Sequence, residues 1–226
     1  MPTRVHSPGA SPALDRRTLA AWAGVPTTIA ADLFRGRVLA DPAIRPLRPF
    51  AGGKRLAGGA VTAWCEPADY GPVHHAIAAA GPGDVVVVDA GGRPDAAMIG
   101  ELLSGAARLK GIAGIVVDGP VRDIGTLASW PDFPVFSRGH TARGPSSMDR
   151  GSVNEPIAFA GVRVEPGDLV LGDDDGLVVI PRNEATGERL AAALAMVRAE
   201  EGWEAQLARG ETTLEVFKVP AAATTP

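Results

Sequence analysis

Hydrophobic positions along the chain change period several times, and each change marks an element. Residues 85–88 are four consecutive valines ending in Asp89, introduced by the turn Pro82-Gly83-Asp84. An unbroken β-branched run without polar alternation predicts a strand covered on both faces. Gly91, Gly92 and Pro94 end it. Ile99, Leu102, Leu103, Ala106 and Leu109 then recur at helical spacing, with the helix starting around residues 98–100. Gly111 stops that helix, and residues 112–117 form a second β-branched run. Strand, helix and strand over about thirty residues predict a βαβ unit, with parallel strands and a right-handed crossover.

The flanks read less regularly. Residues 14–23 and a segment from Thr27 or Thr28 to just before Gly36 predict two short amphipathic helices. Residues 41–54, with Pro42, Pro46 and Pro49, read as loop, and residues 56–64 as a strand interrupted by Gly58 and Gly59. Residues 70–80 look helical and carry His74 and His75. Beyond Asp118 the chain is expected to turn through Gly119-Pro120, then form a short helix over 123–130 and a strand over 133–136. Short strands follow at 157–159, 162–164, 169–171 and 177–180. A last helix is expected from Asn183 as cap, with Leu190, Leu194, Val197 and Leu207 as its apolar stripe. Pro166-Gly167-Asp168 and the strand after it echo residues 82–89, a turn-then-strand idiom rather than a repeat.

Composition narrows the function classes. The chain has 226 residues, 46% hydrophobic and 21% charged, which predicts one soluble domain with appendages. A net charge of -4 and 5% aromatics argue against a nucleic-acid partner. A single cysteine, Cys65, excludes an intramolecular disulfide and a cysteine-based zinc site. No apolar run reaches the ~20 residues of a membrane helix, so no membrane association is expected. Residues 1–13, with Pro2, Pro8 and Pro12 and no apolar core, read as the disordered leader of a cytoplasmic protein. Residues 14–210 read as the domain and 211–226 as a tail.

The candidate chemistry sits where the two parallel strands end. In open α/β sheets ligands lie outside the carboxyl ends of the strands. Those ends carry Asp89-Ala90-Gly91-Gly92 and Asp118-Gly119-Pro120-Val121-Arg122-Asp123. The first-turn amides of Gly100, Glu101, Leu102 and Leu103 suit a carboxylate or phosphate. Arg122 offers a planar cation on the same rim. Asp123 is a hard oxygen ligand of the kind Mg²⁺ takes along with several waters. Taken alone, an Arg-Asp pair after a strand also reads as a surface ion pair or a helix cap. His74 and His75 read as packing or surface residues, and Asp173-Asp174-Asp175-Gly176 as an acidic hairpin turn rather than a calcium loop. There is no phosphate loop, nucleophile elbow or glycine-rich adenosyl or dinucleotide loop.

Together these residues resemble a known family. Gly100-Glu101-Leu102-Leu103, then residues 111–119, then Val121-Arg122-Asp123 are similar to the signature of the RraA-like family: an acid, twenty intervening residues, then Arg-Asp. The resemblance extends over residues 14–210 and includes Ala60-Val61-Thr62, Phe133-Pro134-Val135-Phe136, Val153-Asn154 with Pro156, and residues 166–176. It implies an α/β fold: a swivelling β/β/α sandwich, phosphohistidine-domain-like, with N- and C-terminal helices, assembled as a homotrimer or homohexamer. It also implies a divalent-metal-dependent (class II) pyruvate aldolase of the 4-hydroxy-4-methyl-2-oxoglutarate / 4-carboxy-4-hydroxy-2-oxoadipate branch, a carbon–carbon lyase with its site at a subunit interface.

By position, Gly100, Glu101, Leu102 and Leu103 would hold the pyruvyl group of a 2-oxo acid. Arg122 would bind its oxygen, and Asp123 would coordinate Mg²⁺ or Mn²⁺. The base would be a water on the metal or an acid from another subunit. Glu101 is a candidate for orienting that water, and Asp32, Glu200, Glu201 and Glu204 are weaker ones. Of the three lysines, Lys54, Lys110 and Lys218, only Lys54 has any claim to this rim, and no Schiff base is needed. Oxaloacetate decarboxylation, which passes through the same enolate, would suit the same site. The alternative within the family is a non-catalytic regulator that binds a ribonuclease. The intact Gly-x-x-Leu with Arg-Asp favours the enzyme.

Overall fold

Each valine of the 85–88 run belongs to one of two cores. Val86 and Val88 face one apolar cluster, and Val85 and Val87 face the other. The strand is therefore covered on both sides, as its lack of alternation predicted. The computed structural model describes residues 2–7, 14–50, 52, 55–66 and 69–223. Lys54 and residues 8–13 fall outside these.

In chain order the elements are β1 (Arg4–Val5), α1 (Arg16–Trp22), α2 (Thr27–Leu33), β2 (Arg45–Pro46), β3 (Leu56–Cys65), α3 (Gly71–Ala79), β4 (Val85–Asp89), α4 (Glu101–Leu109) and β5 (Gly114–Val121). They continue with α5 (Ile124–Ser129), β6 (Val135–His140), β7 (Gly151–Val153), β8 (Ile157–Phe159), β9 (Val162–Val164), β10 (Leu169–Asp173), β11 (Gly176–Ile180), α6 (Gly187–Ala208) and α7 (Thr213–Val216).

The main sheet runs β1-β7-β3-β4-β5-β6-β2, and β3 also leads into the β10–β11 hairpin. Strands β3, β4, β5 and β6 are parallel, and the β4–α4–β5 unit pairs Val85 with Gly114 through Asp89 with Asp118. Helices α3, α4 and α5 cover one face through Val73, Ala76, Ile77, Ala107 and Leu127. The other face packs on the β8–β9 ribbon and on the β10–β11 hairpin through Ile157, Phe159, Val164, Val170 and Val179. Helices α1, α2 and α6 close the far side of that hairpin around Trp22, Ile29, Leu169 and Leu171. This is the expected β/β/α sandwich with N- and C-terminal helices. No helix among the described residues is long and apolar enough to cross a membrane.

Several local expectations are corrected. Strand β3 runs uninterrupted through its glycines; a Cβ on Gly58 would lie 2.4 Å from the Gly83 carbonyl, so glycine lets the chains close up. Strand β5 does not turn at Gly119-Pro120 but continues to Val121, with a register irregularity between Val117 and Pro120. Thr27 does not cap α2: its hydroxyl donates to Asp173 instead. Helix α6 is capped by Thr186, not Asn183, because residues 181–185 first make a turn on the Pro181 carbonyl. Arg4–Val5, within the presumed leader, pair with Ser152 and Val153 of β7, and residues 45–46 and 213–216 form β2 and α7. Short strands and single-turn helices of this kind depend on distant partners and leave no periodic signal.

The largest correction concerns α4. Its buried residues are Ser104 and Ala107, whereas Leu102 is 84% and Leu109 91% exposed. Only Ile99 and Leu103 of the expected stripe face the core.

Candidate active site

The site is built by a clip between the start of α4 and the end of β5. The Met98 amide donates to the Pro120 carbonyl and the Arg122 amide to the Ile99 carbonyl, each at 3.0 Å. This closes the twenty-residue gap between Glu101 and Arg122. Gly100 then lies against the Arg-Asp pair so closely that a Cβ there would sit 2.4 Å from Asp123 Oδ2 and 2.9 Å from Arg122 Cγ. Gly144 approaches the far end of the Arg122 side chain, its own Cβ position being 2.8 Å from Nη1. Two glycines thus pack directly on the arginine side chain, for steric reasons and not for backbone freedom.

Asp123 has a left-handed backbone, φ 57°, a conformation aspartate tolerates better than most residues. That geometry turns its carboxylate toward α4, where Oδ2 accepts the Glu101 amide at 3.0 Å. One of the four expected free donors is therefore used by the protein itself. The amides of Gly100, Leu102 and Leu103 have no acceptor among the described residues. They lie at the positive end of the helix, beside Arg122, whose Nε is 3.8 Å from Asp123 Oδ2. Asp123 Oδ1 has no partner among the described residues.

These groups line a cleft of about 240 Å³, together with Tyr70, His74, Ala97, Met98, Ile99 and Pro145. All the expected residues, Gly100, Glu101, Leu102, Leu103, Arg122 and Asp123, are brought together there. Leu102 turns its side chain to solvent, so it contributes through its amide.

Asp89 and Asp118, expected on the same rim, are instead buried structural acids outside the cleft lining. Asp118 bonds Arg138 Nε at 2.6 Å and the Ala160 amide at 2.9 Å, which ties β5 to β6 and to the β8–β9 turn. Burial, and then the neighbouring Asp118 charge, push the Asp89 carboxyl up, against the pull of the Gly91 amide. Lys110 donates to the Ile77 and Ala78 carbonyls, and no lysine among the described residues lines the cleft. Asp32, Glu200, Glu201 and Glu204 are exposed on α2 and α6 and do not line it either.

Two lining residues come from a segment the residue pattern did not single out for chemistry. Tyr70 and His74 lie at the start of α3, their rings 5.0 Å apart. Burial, and then repulsion from His75, lower the His74 pKa. The start of α3 is held by Asp69, which is fully buried and accepts the Gly71 amide at 3.1 Å and the Ser147 hydroxyl at 2.6 Å. Burial pushes the Asp69 carboxyl up, but hydrogen bonds from Ser147 and from the Arg150, Gly71 and Asp149 amides outweigh it and hold it below the usual range. The 144–148 segment therefore touches both walls: Ser147 at the Tyr70 side and Gly144 at Arg122.

No group of three or more histidine, cysteine or acidic side chains is placed to hold a metal among the described residues. The donor set nevertheless suits Mg²⁺ or Mn²⁺. Such an ion keeps several waters and takes one or two carboxylates, with substrate oxygens completing the shell. Asp123, with one oxygen uncommitted among the described residues and lining the cleft, meets that requirement.

The family described as "RraA-like: Aldolase/RraA" matches residues 27–179, which contain every residue of the clip. The chain belongs to the RraA-like family. A relative from Halalkalibacterium halodurans, named "Putative 4-hydroxy-4-methyl-2-oxoglutarate aldolase", is 38% identical over 160 residues, 71% of this chain and 74% of its own. A crystal structure of an uncharacterized protein from Pseudomonas syringae pv. tomato superposes with a TM-score of 0.79 at 27% identity, covering 91% of this chain and 99% of that one. The structure of Streptomyces coelicolor RraAS2, titled an unusual member of the RNase ES inhibitor RraA protein family, superposes at 0.75 with 28% identity, covering 84% and 97%. This RraA-like fold is thus shared by proteins with aldolase names and by proteins named as ribonuclease inhibitors, so the site has to decide the function.

Proposed function

We propose that the protein is a divalent-metal-dependent pyruvate aldolase, a carbon–carbon lyase that cleaves a 4-hydroxy-2-oxo acid to pyruvate and a second oxo acid. The observation that carries this reading is the convergence of free helix-start amides, Arg122 and Asp123 on one cleft. The aldolase names of relatives from Halalkalibacterium halodurans, Shewanella oneidensis and Deinococcus radiodurans support it.

The amides of Gly100, Leu102 and Leu103 would hold the substrate carboxylate, as a helix start does. That contact orients the 2-oxo group toward Arg122 and Asp123. Cleavage of the C3–C4 bond leaves negative charge on the 2-oxo oxygen as the pyruvate enolate forms. Arg122, closely packed by Gly100 and Gly144, would offer a cation already in place as that charge develops. Asp123 would hold Mg²⁺ or Mn²⁺, which supplies Lewis-acid stabilisation of the same oxygen. Glu101 lies at the cleft mouth, where its carboxylate would orient a water. The same enolate would form on decarboxylation of oxaloacetate, so that activity is proposed too.

Leu102 lines the cleft and, like Leu109 on the same helix, is exposed, and apolar side chains of this size in open solvent support a homo-oligomer, trimer or hexamer, with sites at its interfaces. Cytoplasmic residence is the setting proposed. The second reading, a regulator that binds a ribonuclease, is favoured by the likeness to RraAS2.

Pyruvate release from a panel of 4-hydroxy-2-oxo acids and from oxaloacetate, with Mg²⁺ and after EDTA, separates the two readings. Metal-dependent turnover is expected. Absence of pyruvate from every compound at saturating metal would overturn the aldolase reading and favour the regulator.

A further inference from the structure

An aldol cleavage needs a group to take the proton from the 4-hydroxyl, and the clip does not supply an obvious one. Arg122 carries a guanidinium, which has hydrogen-bond donors and no acceptor. Asp123 is engaged by the Glu101 amide and is the metal ligand of the proposed reaction. Tyr70 packs against His74 and offers a phenol, a proton donor rather than a base. That leaves Glu101 and His74 among the titratable cleft residues.

His74 lines the same cleft as the clip but is contributed by α3 rather than by α4 or β5. Its ring nitrogens have no hydrogen-bond partner among the described residues, so a lone pair is available to a substrate. The Tyr70 ring packs against it at 5.0 Å and 59°, which limits its rotation. The base of α3 cannot drift: a Cβ on Gly71 would lie 1.9 Å from the Met148 carbonyl, and buried Asp69 ties Gly71 to Ser147. Partial burial, and then the adjacent His75, lower the imidazole pKa, which favours the neutral form a base requires.

We infer that His74 is the general base of the aldol cleavage, with Tyr70 as the residue that positions its ring. This inference rests on the aldolase reading above. In the step, the proton of the 4-hydroxyl moves to a His74 nitrogen. The O–H electron pair becomes the new C4 carbonyl, and the C3–C4 bond breaks, its electrons passing into the pyruvate enolate. The imidazolium then returns the proton to C3, giving pyruvate and the second oxo acid. No co-reactant is consumed.

Oxaloacetate provides the discriminating substrate, because it has no 4-hydroxyl and loses CO₂ instead. The test compares wild type, His74→Gln, His74→Ala and Glu101→Gln, each with Mg²⁺, on 4-hydroxy-4-methyl-2-oxoglutarate and on oxaloacetate. The expected fall in kcat for aldol cleavage is about 10²-fold, at least tenfold larger than the fall for decarboxylation. Added imidazole is expected to restore part of the cleavage by His74→Ala. Equal losses on both substrates, or wild-type cleavage by the variants, would overturn the assignment to His74. Loss of cleavage only in Glu101→Gln would transfer the role to Glu101. Wild-type decarboxylation without aldol cleavage would remove the step that His74 serves, and no turnover of either substrate would overturn the aldolase reading itself. His74 faces solvent on α3, so both variants are expected to fold, and circular dichroism checks it.

Discussion

Replacing Gly100 with alanine tests the clip with a single methyl group. The added Cβ would sit 2.4 Å from Asp123 Oδ2 and 2.9 Å from Arg122 Cγ, where real Cβ contacts do not fall below 3.0 Å. The Asp123 carboxylate would have to retreat by about 0.6 Å, judged from that gap. Its bond to the Glu101 amide is 3.0 Å long and lies on the same oxygen, so the retreat stretches or breaks it. Loss of such a cap costs about 1 kcal/mol, which for a chain of this size lowers Tm by roughly 2–4 °C. The catalytic cost is larger, because a displacement approaching 1 Å at a reacting group is worth on the order of 10² in rate. The expected result is therefore a kcat/KM about a hundredfold lower with a small fall in Tm.

Gly105→Ala is the control: it lies in the same helix, where the new Cβ meets only Trp130 at 3.6 Å. There the gain in helix propensity is about 0.5–1 kcal/mol, so Tm should rise while turnover stays as in wild type. Steady-state pyruvate release and differential scanning fluorimetry read both quantities. Wild-type kcat/KM and Tm in Gly100→Ala would refute the argument that this glycine is there to seat Arg122 and Asp123.

Other consequences follow from the same geometry. Arg122→Lys keeps the charge but loses the planar fork, so kcat should fall about 10²-fold, and Arg122→Ala should fall further; wild-type rates in folded variants would remove Arg122 from the chemistry. Asp123→Ala should abolish turnover, and EDTA should do the same to wild type reversibly on adding Mg²⁺; full activity after EDTA treatment contradicts the metal assignment. Asp69→Asn should lose roughly 2–3 kcal/mol at neutral pH, the order expected when charged hydrogen bonds are removed. Because the folded Asp69 pKa is lowered, its contribution is complete above the unfolded carboxylate pKa of about 4 and disappears as pH falls through the folded value. The wild-type advantage in urea unfolding should therefore shrink in acid, and an advantage independent of pH would refute the role of the charge.

Much of this architecture was legible because it is local. Four valines in a row must be covered on both faces, and Pro-Gly-Asp turns announce the strands that follow. Gly83 and Gly167 share φ 89°, and Asp84 and Asp168 each accept the amide three residues back. The echo between the two segments is thus one turn geometry used twice, on strands that pair with different halves of β3. The Glu101 to Arg122 spacing likewise follows from one βαβ crossover, so a linear pattern already pointed to the residues that meet.

Other features were decided by tertiary structure, since they depend on what lies across from a residue. A 3.6-residue period says that α4 has an apolar face but not which face the sheet will take. Ala107 and Ser104 fit under the helix close to β5, and Leu102 and Leu109 are left outside. Asp123 had a plain reading as a ligand or as a cap, and the left-handed turn makes it the cap of a helix twenty-two positions earlier. Asp118 looked like a rim acid until Arg138 and the Ala160 amide claimed it across the sheet. His74 carried no signal of its own, because what matters about it is the cleft wall that α3 presents to α4. Periodicity is a property of one segment, whereas a site is a property of the distances between segments, and those are set only when the layers pack.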